Sequence, residues 1–207
     1  VVYVTDQHTA PLMNTVLNFR TRVVDFPIVD DSTSRQIASD LLAELKPSVV
    51  VAIERCGVTH EGVYRNMHGK DISSFTARLD HLFNGHPATV GVGDGGNEVG
   101  MGSLAEVIPT VPTLVKLPCV TSTTEVVITS VSNWGGYGLV AALSRRCGKD
   151  LLPSVLGEQD LIRRVADAGA VDGMSSKSEY RVDGFTLEEN SQIIQRLRDI
   201  LADESIG

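Results

Sequence analysis

With 207 residues, 42% of them apolar, the chain is long enough to bury one substantial core and short enough to form a single domain over 1–207. A formal charge of -8 and a pI near 5.1, with no stripe of basic residues to override them, exclude nucleic acid as a partner. No apolar run approaches the roughly 20 residues of a membrane span, and no charged, apolar, small-residue leader marks a signal peptide, which excludes a membrane role and favours the cytoplasm.

Aromatic residues make up only 5%, while Val, Ala, Leu and Gly abound, the usage of parallel strands covered by helices. In chain order, β-branched runs predict strands at Val1–Thr5, Val23–Pro27, Ser48–Ile53, Thr89–Gly93, Glu125–Val131 and Ala170–Met174. Helical periods alternate with them at Ser34–Leu45, Ser73–Phe83, Asn97–Ile108, Trp134–Cys147, Glu158–Ala168 and Leu187–Ala202. The last of these opens on a capping pair, Thr186 and Glu189, and carries an apolar side suited to packing. Prolines at 109, 112 and 118 make the stretch from Thr110 to Pro118 irregular. The βα alternation predicts an α/β fold with a doubly wound, mainly parallel Rossmann-like sheet and helices on both faces. Because Val1 already reads as part of a strand, further residues upstream are expected.

Ligands of such sheets sit beyond the carboxyl ends of the strands, and three predicted strand ends carry polar groups. The first is Glu54-Arg55, where Glu54 suits a general acid/base or a metal ligand and Arg55 a bidentate clamp on a carboxylate; an exposed ion pair is the plainer alternative. The second is the turn Gly93-Asp94-Gly95-Gly96-Asn97-Glu98, which runs from a strand into the predicted helix at 97. Its backbone amides, those of Gly95 and Gly96 among them, suit an anion, whereas the carboxylates of Asp94 and Glu98 suit a cation or an ammonium group. A helix cap would explain Asp94 or Asn97 alone, but not the glycines at 91, 93, 95, 96, 100 and 102 set about three polar groups. The letters GxGxxG occur from Gly91 to Gly96, but the first glycine lies inside the strand and no acid ends the next strand, so a dinucleotide site is disfavoured. The third end, Ser132-Asn133-Trp134, offers two ligand or cap groups and a ring that suits either a ligand wall or packing.

Between the first two ends lies a long polar connection, residues 61–72, in which Tyr64, Asn66, Lys70 and Asp71 are candidates for ligand contact. Cys56, Cys119 and Cys147 lack the spacing of a zinc site or redox pair and read as reduced thiols, with Cys119 and Cys147 as small buried hydrophobes.

The segments AIERCG (52–57), YRNMHGKDI (64–72), GVGDGGNEVGMG (91–102), SVSNWGGYGL (130–139) and AGAVDG (168–173) together resemble the C-terminal domain of the D-glutamate cyclase family, which has mitochondrial members and bacterial relatives of uncharacterised function. The resemblance runs over nearly the whole chain and implies a hydro-lyase that closes D-glutamate to 5-oxo-D-proline and water. It also implies a further βα unit ahead of Val1, and the mitochondrial matrix as an alternative compartment. On this footing Glu54, Asp94 and Glu98 are the expected catalytic acids. Arg55, Tyr64, Asn66, Asp71, Gly95, Gly96, Asn97, Ser132 and Asn133 are the expected contacts to a small amino acid or carboxylate. Asp94 and Glu98 would be the ligands if a divalent cation such as magnesium takes part, and the chain is compatible with a homo-oligomer. A phosphate- or nucleotide-binding enzyme, and a noncatalytic ligand-binding domain serving a separate cyclase, are the competing readings.

Overall fold

Val2–Asp6 (β1) and Arg22–Phe26 (β2) pair in parallel, Val4 opposite Val24 and Asp6 opposite Phe26, in a computed structural model that describes residues 1–17 and 21–203. A short helix not predicted above, Ala10–Val16 (α1), follows β1. Helix α2, Asp31–Leu45, begins three residues before its apolar period because the Asp30 carboxylate accepts the Thr33 N–H at 3.0 Å; it ends where Lys46 turns left-handed and its N–H reaches the Leu42 carbonyl.

Val50–Ile53 (β3), Thr89–Gly93 (β4) and Glu125–Ile128 (β5) form a second parallel ladder in that order, with Ala52, Gly91 and Val126 side by side. The protein is thus α/β with parallel strands, and neither ladder contains a reversal of strand order. Phe26, Ala38, Leu41, Ala52, Leu82, Phe83 and Val99 form the main apolar cluster, drawn from β2, α2, β3, the short helix α3 (Asp80–Asn84) and the loop after β4.

Three predicted elements differ. The predicted 73–83 helix is broken in two: Ser73–Phe75 forms one 3-10 turn, Thr76 is extended, and α-helix resumes only with α3 at Asp80. No helix occupies 97–108 beyond 3-10 turns at Gly102–Leu104 and Ile108–Thr110. The amides of Gly100 and Gly102 bond the Thr121 carbonyl, 2.8 and 3.2 Å, instead of a residue four back, and Gly100 has φ of +105°. Residues 170–174 form no strand; the buried Asp172 carboxylate instead gathers the N–H groups of Met174, Ser175 and Gly184 into a turn.

The chain divides into two compact units, one built from Val1–Pro11 and the described part of Phe19–Ser132, the other from the described parts of Leu12–Asn18 and Asn133–Gly207. The second unit holds most of α4 (Ser132–Cys147), α5 (Val155–Asp167), a hairpin of Arg181–Val182 (β6) and Phe185–Thr186 (β7), and α6 (Leu187–Asp203). Trp134 packs here: its ring lies 4.8 Å from that of Phe185 and its indole N–H donates to the buried Asn190. Among the described residues no helix is long and apolar enough to cross a membrane.

Candidate active site

Neighbouring parallel strands end at the same level, so the residues that follow them become neighbours. Ile53 stands opposite Val92 in the β3–β4 register, which places Glu54 beside Gly93 and one residue short of Asp94. The Glu54 N–H still bonds the Val92 carbonyl at 3.0 Å, and then its backbone swings to φ of +53°, a left-handed conformation that costs a glutamate about 1 kcal/mol or more. The loop after β4 returns to pair Glu98 with Cys56 across one antiparallel bridge, framed by Gly57 N–H to Asn97 O at 2.8 Å and Val99 N–H to Arg55 O at 2.7 Å. Glu54, Asp94 and Glu98 thereby bring one carboxylate oxygen each to within 4.8 Å of one another, with Glu54 exposed, Asp94 half-buried and Glu98 buried.

Each acid is held differently. Glu98 accepts the Gly95 N–H on Oε1 at 2.8 Å and the Gly96 N–H on Oε2 at 2.7 Å. Burial raises its pKa above the ordinary glutamate range; those two amides pull it back and the nearby Asp94 charge adds to the rise. Asp94 Oδ2 accepts the Ser132 N–H, the first of α4, at 2.9 Å and the Ser132 hydroxyl at 3.3 Å. All three offer the hard oxygen ligands that suit magnesium or calcium.

The glycines serve this packing. A Cβ at Gly93 would meet Glu98 Cβ and Oε2 at 2.9 Å, and one at Gly96 would meet Ile108 Cγ2 at 2.6 Å. The turn is therefore filled by its own glutamate: the amides of Gly95 and Gly96, expected above to face an anionic ligand at a helix start, are already bonded, and no helix follows them.

Of the remaining expected contacts, Ser132 lies at the cluster through Asp94. The others are engaged elsewhere. Arg55 is an internal brace: Nη1 donates to Asp6 Oδ2 at 2.7 Å and Nη2 to the Ala77 carbonyl at 2.8 Å, so the carboxylate it clamps belongs to the chain itself. Tyr64 is 1% exposed and its hydroxyl donates to Asp80. Asn66 accepts the His68 and Lys70 N–H groups, and Asp71 accepts the Ser73 N–H and hydroxyl, so both shape the 61–72 connection. Asn97 donates to the Arg65 carbonyl at 3.2 Å. Asn133 belongs to the second unit.

Burial pushes the Cys56 thiol up to about 11 and the Cys119 thiol up to about 12, values that argue against a nucleophilic cysteine. Cys147, expected inside, is exposed.

Two buried acids that bond expected site residues, Asp6 to Arg55 and Asp80 to Tyr64, are absent from the sequence expectations. Asp6 ends β1 as Glu54 follows β3, and this repeated strand-end acid was a readable signal; the buried Asp80 carried none.

The model of the family described as "D-glutamate cyclase-like, C-terminal" matches residues 1–198. The chain belongs to this family. A human protein, "D-glutamate cyclase, mitochondrial", is 30% identical to it across an alignment that covers 73% of this chain and 29% of that protein. This D-glutamate cyclase-like chain therefore spans less than a third of the length of that relative.

Proposed function

We propose that this chain is a hydro-lyase of the D-glutamate cyclase type, closing D-glutamate to 5-oxo-D-proline with loss of water, and that the reaction is carried by Glu54, Asp94 and Glu98. The observation that supports this reading is the carboxylate cluster itself, three acids of unequal burial with oxygens within 4.8 Å of one another, in a chain of this family. Cyclisation joins the α-nitrogen to the carbon of the γ-carboxylate and expels one oxygen of that group as water. The substrate ammonium must lose one proton before attack and its nitrogen a second after it, and the departing oxygen must gain two to leave as water. Glu54 or Asp94, at the more open side of the cluster, takes the proton from the ammonium; Glu98, which burial keeps protonated to higher pH, returns one to the leaving oxygen. No net proton is consumed.

The same oxygens would hold a divalent cation such as magnesium, which would polarise the γ-carboxylate. A phosphate site at the glycine turn is disfavoured, since its Gly95 and Gly96 amides bond Glu98. The two parallel ladders fit parts of one doubly wound Rossmann-like layer, whose ligands bind at strand carboxyl ends.

The test is incubation of the purified chain with D- or L-glutamate, with and without magnesium, followed by detection of 5-oxoproline. Product from D-glutamate is expected, and its rate is expected to fall as pH rises through the raised pKa of Glu98, where the acid is lost. Binding of D-glutamate without product would favour a noncatalytic domain serving a separate cyclase, and no reaction with either isomer would sink the proposal.

A further inference from the structure

We propose that Asp80 is a positioning residue for the carboxylate cluster: from inside the first unit it ties together the backbone segments that clasp residues 95–102 and so hold Glu98 in place. The inference rests on the cyclase reading for its catalytic consequence, but not for its structural content.

Asp80 opens α3, is 3% exposed, and accepts three hydrogen bonds from three separate segments. Val58 N–H and Thr121 Oγ1–H donate to Oδ1 at 3.0 and 2.6 Å, and the Tyr64 hydroxyl donates to Oδ2 at 2.5 Å. Hydrogen bonds to a carboxylate are about twice as strong as neutral ones, so this junction is stiff. Each donor segment then grips the loop. Next to Val58, the Gly57 N–H bonds the Asn97 carbonyl, and Cys56 pairs with Glu98. The Thr121 carbonyl takes the N–H groups of Gly100 and Gly102, and two residues earlier the Cys119 N–H bonds the Gly96 carbonyl at 3.0 Å. Tyr64 begins the strand-like edge whose next residue, Arg65, accepts from Asn97 and from the Cys56 thiol. The two gripping segments also bond each other, Val120 N–H to Val58 O at 2.8 Å. The glycine turn is thus held from both sides by strips whose common anchor is one buried carboxylate. Room for adjustment is small, because a Cβ on Gly57 would stand only 3.2 Å from Asp80 Oδ1.

Thr121→Val and Tyr64→Phe each remove one donor while keeping Asp80, its charge and nearly all of the packing. In the full chain both are expected to lower kcat for D-glutamate cyclisation by about tenfold to a hundredfold, with KM within about twofold, since a small misplacement of a catalytic group acts on the transition state more than on binding. Thr121→Ser, which restores a hydroxyl, should recover most of the loss. Independently of activity, amide exchange at Gly95 and Gly96 should rise by about tenfold or more in Thr121→Val, while amides of the β1–β2 ladder stay as they were. Wild-type exchange at Gly95 and Gly96 in both variants, or an equal rise across the β1–β2 ladder, would overturn the inference. If the wild-type chain makes no 5-oxoproline, the cyclase reading falls, and the exchange measurement still decides the role of Asp80.

Discussion

Glu98→Gln is expected to lower 5-oxoproline formation from D-glutamate by about 10²–10⁴-fold, the range that one general acid contributes. The substitution keeps the shape of the side chain but removes its proton-donating carboxyl. It also sets a carboxamide against two inward-pointing N–H groups, those of Gly95 and Gly96, of which it can satisfy only one with its oxygen. The unsatisfied amide costs about 1–3 kcal/mol, partly offset because a buried charge and its repulsion from Asp94 disappear. The chain should therefore stay folded while activity collapses. Stability carries a second signature. The folded-state pKa of Glu98 is raised, so its favourable contribution is complete below the unfolded pKa and is lost as pH rises through the folded value. Denaturation midpoints recorded across that interval should slope in the wild type and flatten in Glu98→Gln. A Glu98→Gln protein that cyclises D-glutamate at the wild-type rate would remove Glu98 from the mechanism.

The largest effect on stability is expected for Gly91→Ala, about 3 kcal/mol or more. A Cβ on Gly91 would lie far inside van der Waals contact with the Val99 carbonyl oxygen and 2.7 Å from Gly100 Cα. Both obstacles are backbone, so no side-chain rotation can relieve them, and overfilled sites of this kind cost about 1–3 kcal/mol or more. Gly138→Ala is the control: it lies within α4 with open space where its Cβ would be, and there alanine should be neutral or stabilising by about 0.5–1 kcal/mol. Far-ultraviolet circular dichroism in urea should follow the pair, because Trp134, the one tryptophan, sits in the second unit and its fluorescence would miss a loss confined to the first. Equal urea midpoints for Gly91→Ala and wild type would refute the close-packing account of the loop.

What could be read beforehand was what local chemistry decides. The β-branched run at 89–93 is a strand as predicted, the strand predicted at 125–131 forms over its first four residues, and α2, α4, α5 and α6 fall within three residues of their predicted starts and ends. Glu54 and Asp94 were recognisable as acids at strand ends, and a parallel ladder brings such residues together without further instruction. The loop at 97–108 was misread because Val99, Leu104 and Ile108 mimic a helical stripe, whereas their burial comes from two different apolar clusters. The β6–β7 hairpin was legible and overlooked: Asp183-Gly184, both at positive φ, is the turn that joins strands of two residues each. Arg55 and Asp6 meet across 49 residues, and Asp80 collects donors 16 to 41 residues away. Nothing in Arg78-Leu79-Asp80-His81 distinguishes that acid from a solvated one, since its role arises only from what tertiary folding brings to it.

The left-handed backbone at Glu54 and the crowding of three acids share a kinetic consequence. Strain and like-charge repulsion are felt fully only with β3 and β4 paired and the glycine turn closed over them, so both burden the native state more than any less complete one. Interactions absent from the folding barrier act on the rate of escape. The lifetime of the folded first unit, more than the speed at which it forms, is where the cost of keeping this cluster assembled should be recorded.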